Sequence, residues 1–177
     1  AVSIVSGDRD LLQLATEKVQ IRIPKTKRTG TEIENYYAAD VKEKYLVTPM
    51  EFVDVKALMG DTSDNIPGIP GVGEKTATKI IAEFGSIENA YDHLEEIKPN
   101  KAKLSLEEHY DLAVLSKTLA KINTESPVTL DLQAAKLTHL YTPEAFTWMK
   151  KLEFKNLLSR FHVEAPKDEA ADHFELA

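Results

Sequence analysis

Two observations predict an α/β fold. Strand-like apolar patterning falls mainly in the early part of the chain, over residues 2–5, 19–23 and 31–37, and from Ala39 onward apolar residues recur mostly at helical spacing between capping signals. The two patterns are joined around a glycine- and proline-punctuated stretch from Gly60 to Gly73, which neither a helix nor a strand can cross.

Residues 2–5 (Val-Ser-Ile-Val) read as a short buried strand, followed by Gly7-Asp8-Arg9-Asp10 and by Leu11, Leu12 and Leu14 opening a helix. In open α/β sheets ligands collect beyond the carboxyl ends of the strands, which is where Asp8 and Asp10 fall. An Asp after Gly at such a turn also serves as a helix cap, but two Asp bracketing an Arg are harder to explain that way. Residues 19–23 (Val-Gln-Ile-Arg-Ile) form the next strand, and residues 31–37 return as its partner. The connecting tip concentrates Arg22, Lys25, Lys27 and Arg28, which suits a solvated hairpin and equally a DNA contact.

A short helix is expected over residues 39–45. Thr48-Pro49-Met50-Glu51 then has the form of a capping box, with Pro49 at the first helical position and Glu51 reaching back. Phe52, Val53, Val55, Lys56, Leu58 and Met59 continue that helix with an apolar face and Gly60 stops it. Asp61 and Asp64 therefore lie at a helix C-terminus, where the dipole disfavours negative charge and a compensating cation is called for. Turn and cap hydrogen bonds from Asp61, Ser63, Asp64 and Asn65 are the bland alternative.

In Ile66-Pro67-Gly68-Ile69-Pro70-Gly71-Val72-Gly73, Gly71 and Gly73 permit close backbone approach, so their amides and the helix over residues 74–84 can cradle a phosphate. Lys75 and Lys79 lie four apart on one face of that helix, next to Thr76, and can flank the same phosphate backbone. Gly85 ends the helix and Ser86 caps another, giving a helix-hairpin-helix. A nucleotide-binding P-loop is a poor match, because Glu74 separates Gly73 from Lys75 and a Pro-broken loop precedes Gly68. One long helix is expected over residues 101–122, with Leu104, Leu112, Leu115, Leu119 and Ile122 on its apolar positions and His109 on a solvated face. Residues 128–132 read as a strand. Thr142-Pro143-Glu144 caps a last helical region with Phe146, Met149, Leu152, Phe154 and Leu157 as core and Trp148 as a packing or rim residue.

Composition narrows the chemistry. The chain has 177 residues, 42% of them hydrophobic, enough for one domain or a domain with a small annex. It has no Cys, which leaves oxygen or imidazole as metal ligands and makes the carboxylates the leading candidates for a hard ion such as Mg²⁺ or Mn²⁺. The net charge of -7 argues against a generally basic surface but not against a local basic patch. More than half of that excess lies after Val163, where five acids face a single Lys167. No apolar run of about 18 residues and no leader pattern are present, so a soluble, cytoplasmic protein without membrane attachment is expected. A strand composition at the very start suggests that further structure precedes it.

Through Ser6-Gly7-Asp8-Arg9-Asp10-Leu11, Leu58-Met59-Gly60-Asp61-Thr62-Ser63-Asp64-Asn65-Ile66-Pro67-Gly68 and Gly71-Val72-Gly73-Glu74-Lys75-Thr76-Ala77, and on to Phe154-Lys155, nearly the whole chain resembles the 5′ nuclease (5′-3′ exonuclease) domain of bacterial DNA polymerase I, of the flap endonuclease superfamily. The second segment is highly specific to that family, whereas the glycine hairpin alone is shared with many DNA-binding proteins. The resemblance implies the C-terminal part of a PIN-like, Rossmann-like nuclease core (residues 1–62). A mainly helical DNA-binding subdomain with a helix-three-turn-helix follows (63–161), then an acidic linker (162–177) toward polymerase domains. It implies Asp8, Asp10, Asp61 and Asp64 as ligands of two divalent ions, Mg²⁺ or Mn²⁺, with K⁺ at the hairpin loop. Gly71, Gly73, Lys75, Thr76 and Lys79 would contact duplex DNA carrying a 5′ flap or nick, or a primer RNA strand. The family's first half has no counterpart here, so the intact protein is expected to be a structure-selective 5′ nuclease of replication and repair and this piece alone to be inactive or nearly so. The alternative is a non-catalytic duplex-binding helix-hairpin-helix module.

Overall fold

The computed structural model describes residues 1–28, 30–137 and 140–161, and the expected acidic linker lies outside the described residues. Two compact units divide the chain, Ala1–Glu125 and Ser126–Ala177.

The first unit opens with a three-stranded sheet in the order β1 (Val2–Val5), β2 (Val19–Lys27), β3 (Gly30–Tyr36), β1 parallel and β3 antiparallel to β2. Alternation sets the faces: Ile21 and Ile23 of β2 turn inward while Pro24 faces out. Strand β1 is not the buried strand expected, since Val2 and Val5 are exposed; β1 forms one edge of the sheet and its outer face has no layer packed on it among the described residues. The basic tip is a hairpin in which the two lysines are paired across the strands, Lys25 with Glu34 at 2.6 Å and Lys27 with Glu32, while Arg22 donates to Asn35 at 3.2 Å. Glu34 also accepts from the Tyr36 hydroxyl, and these donors hold its carboxyl at about 2.

Helices α1 (Ala38–Tyr45), α2 (Glu51–Met59), α3 (Glu74–Phe84) and α4 (Ile87–Asp92) follow as expected. The Thr48 box is formed, with the Thr48 amide donating to Glu51 at 2.7 Å and the Glu51 amide to Thr48 Oγ1 at 3.3 Å. Helix α2 is the centre of the unit: Phe52, Val53, Val55, Ala57 and Leu58 are all buried, and α3, α4 and α6 pack on it. Leu12, Ile21, Val41, Leu58, Ile81 and Leu106 are fully shielded, each contributing roughly 1.5–3 kcal/mol of burial.

The single helix expected over residues 101–122 is two, α5 (Asn100–Glu108) and α6 (Tyr110–Ala120), bent at His109. The bend lets Ser105 donate to the Pro70 carbonyl at 2.7 Å while Ser116 accepts from the Gly68 amide at 3.0 Å. These bonds fix the rotation of α6, so its buried face is Ala113, Ser116 and Ala120, and Leu115 and Leu119, expected inside, are exposed, as is Leu104 of α5.

In the second unit the strand expected over residues 128–132 does not form. Asp131 instead captures the Gln133 and Ala134 amides, and Val128, Leu130 and Leu132 are exposed with no partner strand. Thr142 caps α7 (Pro143–Lys151) through the Ala145 amide, and α8 (Lys155–Leu158) follows. Leu152, Phe154 and Leu157 are exposed rather than core, and Phe146 and Met149 are half-buried. What this unit packs is an aromatic group, Tyr141 and Phe146 edge-on to Phe161. Trp148 is exposed, with the Lys151 ammonium over its ring. No helix among the described residues is long and apolar enough to cross a membrane.

Candidate functional site

Asp10 enters the site from a six-residue 3-10 helix after β1, Arg9–Leu14, shorter and tighter than the helix expected there. Asp8 is its N-cap, accepting from the Asp10 amide at 2.8 Å. Asp61 and Asp64 come from the turn that follows α2. That turn closes through a reciprocal pair, the Asp61 amide to the Ile66 carbonyl at 2.9 Å and the Ile66 amide back to Asp61 at 2.8 Å.

Two glycines make the closure possible. Gly60 has φ +73°, and a Cβ there would stand 2.7 Å from the Ile66 carbonyl oxygen; Gly68, at φ +61°, would collide with the Gly60 backbone. Backbone packs on backbone, which only glycine permits.

Carboxylate oxygens of Asp10, Asp61 and Asp64 lie within 4.8 Å of one another. Asp8 is outside that group but lines a cavity of about 360 Å³ with Asp61 and Asp64, together with Arg9, Lys56 and Ser63. Asp8 and Asp61 make cap and turn bonds, and Asp10, Asp61 and Asp64 converge all the same.

Lys56 was not anticipated. It is 8% exposed in a largely buried helix, and its Nζ lies 2.6 Å from Asp10 Oδ1 and 2.5 Å from Asp61 Oδ2. It supplies the cation that the helix C-terminus calls for. Bonds from Lys56 and then from Ser63 hold the Asp61 carboxyl well below the usual carboxylate range. Burial alone would lower the Lys56 ammonium, but the two carboxylates outweigh it and raise it. A lysine five residues before Asp61, interrupting Val55-Lys56-Ala57-Leu58, was the available signal. Asp10 Oδ1 is buried, and its contact is the Lys56 ammonium at 2.6 Å. An all-oxygen set of three converging carboxylates fits a hard divalent cation.

The hairpin lies in the same unit. Gly71 has φ +75°; Gly73, in extended backbone, is the N-cap of α3, and its carbonyl accepts from the Thr76 and Ala77 amides. Ala77, Ile80 and Ile81 bury one face of α3, leaving Lys75 and Lys79 exposed and Thr76 half-buried. A second residue sequence reasoning missed is Lys101 of α5, which crosses the turn so closely that a Cβ on Gly71 would lie 2.9 Å from its ε-carbon. The hairpin therefore carries ammonium groups from two helices.

A larger cavity of about 560 Å³ is lined by Gln13, Asp54 and Lys117 among others. Asp54 and Lys56 are two residues apart on α2 and so project to nearly opposite sides of it. Asp54 is already satisfied by Lys117 at 2.6 Å and the Ile87 amide at 3.1 Å, which leaves no group of convergent ligands there.

Known proteins resemble the chain throughout. It is 44% identical to a DNA polymerase I of Bacillus caldotenax over 95% of this chain and 19% of that protein. With the Bacillus subtilis DNA polymerase I it shares 41% over 97% of this chain and 20% of the relative. The chain thus spans about a fifth of the length of these curated relatives. Among solved structures, a bacteriophage T5 5′-exonuclease with bound zinc superposes with a TM-score of 0.56 at 31% identity, covering 67% of this chain and 42% of that one. A T5 flap endonuclease in a pseudo-enzyme–product complex with DNA and metal ions superposes equally, at 0.56 and 30% identity over the same shares. The model of the 5′-3′ exonuclease, C-terminal SAM fold, matches residues 47–142, more than half of the chain. With the glycine-closed turn and the hairpin inside the segment matched by that model, and with relatives matching nearly the whole chain, the chain belongs to the 5′-3′ exonuclease family.

Proposed function

We propose that this chain is part of a metal-dependent, structure-selective 5′-3′ exonuclease and flap endonuclease that hydrolyses phosphodiesters of DNA and of primer RNA. The observation that carries the reading is the convergence of Asp10, Asp61 and Asp64 within 4.8 Å, beside Asp8, on a turn that only glycine can close. Asp8, Asp10, Asp61 and Asp64 would hold two divalent ions, Mg²⁺ or Mn²⁺. Bound there, such ions activate water and stabilise charge on the phosphate in the transition state.

The chain's own residues do the rest. The carboxylates fix the ions' place relative to the substrate, and Gly71, Gly73, Lys75, Thr76 and Lys79 hold the duplex backbone through amides and ammonium groups, reading shape and charge rather than sequence. Loop carbonyls of the hairpin would take K⁺. Residues 1–62 would be nuclease core, 63–161 the DNA-binding part and 162–177 a link to polymerase domains. Substrates of the whole protein would be duplexes with a 5′ flap or nick.

The test is cleavage of a 5′-labelled flap duplex by the full chain with Mn²⁺, against EDTA and Asp61→Asn. The expected result is duplex binding by all forms and weak cleavage that EDTA and Asp61→Asn abolish, because four carboxylates, two of them engaged by Lys56, are a sparse set for two ions. Robust cleavage would mean that these four suffice. Binding indifferent to metal, with every activity untouched by Asp61→Asn, would replace this reading by the non-catalytic binding module.

A further inference from the structure

The carboxylate cavity contains a cation of its own. Lys56 is buried, reaches Asp10 at 2.6 Å and Asp61 at 2.5 Å, and so stands between two of the three acids that converge there. Two carboxylates held this close and this far from solvent repel each other strongly unless a positive charge compensates them.

We propose that Lys56 is a resident counter-ion and positioning residue. It keeps Asp10 and Asp61 at ligating separation when no metal is bound, and a divalent ion competes with it for the same two carboxylates. This rests on the reading of Asp10, Asp61 and Asp64 as metal ligands.

Two features separate this arrangement from an ordinary structural salt bridge. A third carboxylate, Asp64, lies within 4.8 Å of the two acids that share the ammonium, so more oxygens converge here than one lysine engages. The cation is also a lysine, a point charge on a flexible four-carbon stem that can withdraw or be shared, whereas an arginine would clamp a carboxylate through a planar fork. The cavity stays charge-compensated without metal and still yields its oxygens to a stronger cation.

The test measures Mn²⁺ binding to the full chain by calorimetry and by thermal shift at fixed ionic strength. Lys56→Met removes the competing charge at similar volume. Its metal-free melting temperature is expected to fall by roughly 5 °C. Its Mn²⁺ affinity should tighten by about tenfold, with a larger Mn²⁺-induced rise in melting temperature than wild type. Lys56→Arg, which keeps the charge, should melt near wild type and bind Mn²⁺ no more tightly. If Lys56→Met does not fold, Lys56→Gln replaces it with the same expectation.

Equal or weaker Mn²⁺ binding by the neutral variants, with wild-type binding intact, overturns the competition. Asp64→Asn separates the two levels: if wild type binds Mn²⁺ and Asp64→Asn binds it equally well, the metal-centre reading itself fails. If neither wild type nor the neutral variants bind Mn²⁺, both fall.

Discussion

Helix α2 carries two ion clusters of the same composition, one lysine between two acids, on nearly opposite sides. Lys56 stands between Asp10 and Asp61; Lys117 stands between Asp54, at 2.6 Å, and Glu88, at 2.9 Å. In the second cluster Asp54 also accepts the Ile87 amide, which ties α2, α4 and α6 together. In the first, a third carboxylate, Asp64, converges on the same two acids. Identical charges thus make a cross-link in one place and a receptive site in the other. What distinguishes them is whether a further carboxylate converges on the pair.

The largest expected effect tests the cross-link. Lys117→Met leaves Asp54, whose side chain is 7% exposed, without its cation and should cost about 3–5 kcal/mol in urea unfolding. Mn²⁺ binding by the folded variant should be unchanged, and a changed affinity would break the comparison by showing that the two sides of α2 are coupled. Next is Gly68→Ala. Its φ of +61° and the blocked approach to Gly60 should cost about 2–3 kcal/mol, and because the Asp61–Ile66 turn depends on that contact, Mn²⁺ affinity should fall as well. One variant would then weaken stability and site together, as no change around Lys117 should.

The smallest effect concerns pH. Burial pushes the Asp54 carboxyl above its usual 3.8, against the pull of Lys117 and the Ile87 amide. Lys117, more exposed, is raised because Asp54 and Glu88 outweigh its burial, so the cost of ionisation falls on the carboxylate. A raised carboxylate pKa means that the folded chain takes up the proton first. Asp54 therefore costs stability at neutral pH and relieves that cost as the pH falls through its raised value toward 3.8. Asp54→Asn lacks this relief, and its deficit relative to wild type should widen by a few tenths of a kcal/mol between about pH 7 and about pH 4, measured by urea unfolding. A constant deficit would mean that burial and pairing cancel at Asp54.

Much of this was legible in the sequence because the signals are local. The Thr48 box, the Gly60 and Gly85 stops, the Ser86 and Thr142 caps and the helix after Gly73 each depend on residues within one turn of each other. Asp10, Asp61 and Asp64 were legible as candidates because acids at a strand end and at a helix C-terminus conflict with their surroundings. The failures share a cause. The strand expected over residues 128–132 needed a partner that alternation cannot supply, and residues 101–122 could not reveal a bend at His109 made for hydrogen bonds to Gly68 and Pro70, more than thirty residues away.

By itself, then, the sequence determined where the helices between residues 38 and 92 begin and end, which residue types were available as ligands, and that a glycine- and proline-punctuated turn follows Asp61 and Asp64. Only the tertiary structure decided which carboxylates meet, that Lys56 stands between two of them, that Lys101 crosses the hairpin and that small residues rather than leucines face α2 from α6. Caps and turns are fixed by short-range sterics and hydrogen bonds, whereas the charge balance of a buried site depends on groups brought together from distant parts of the chain.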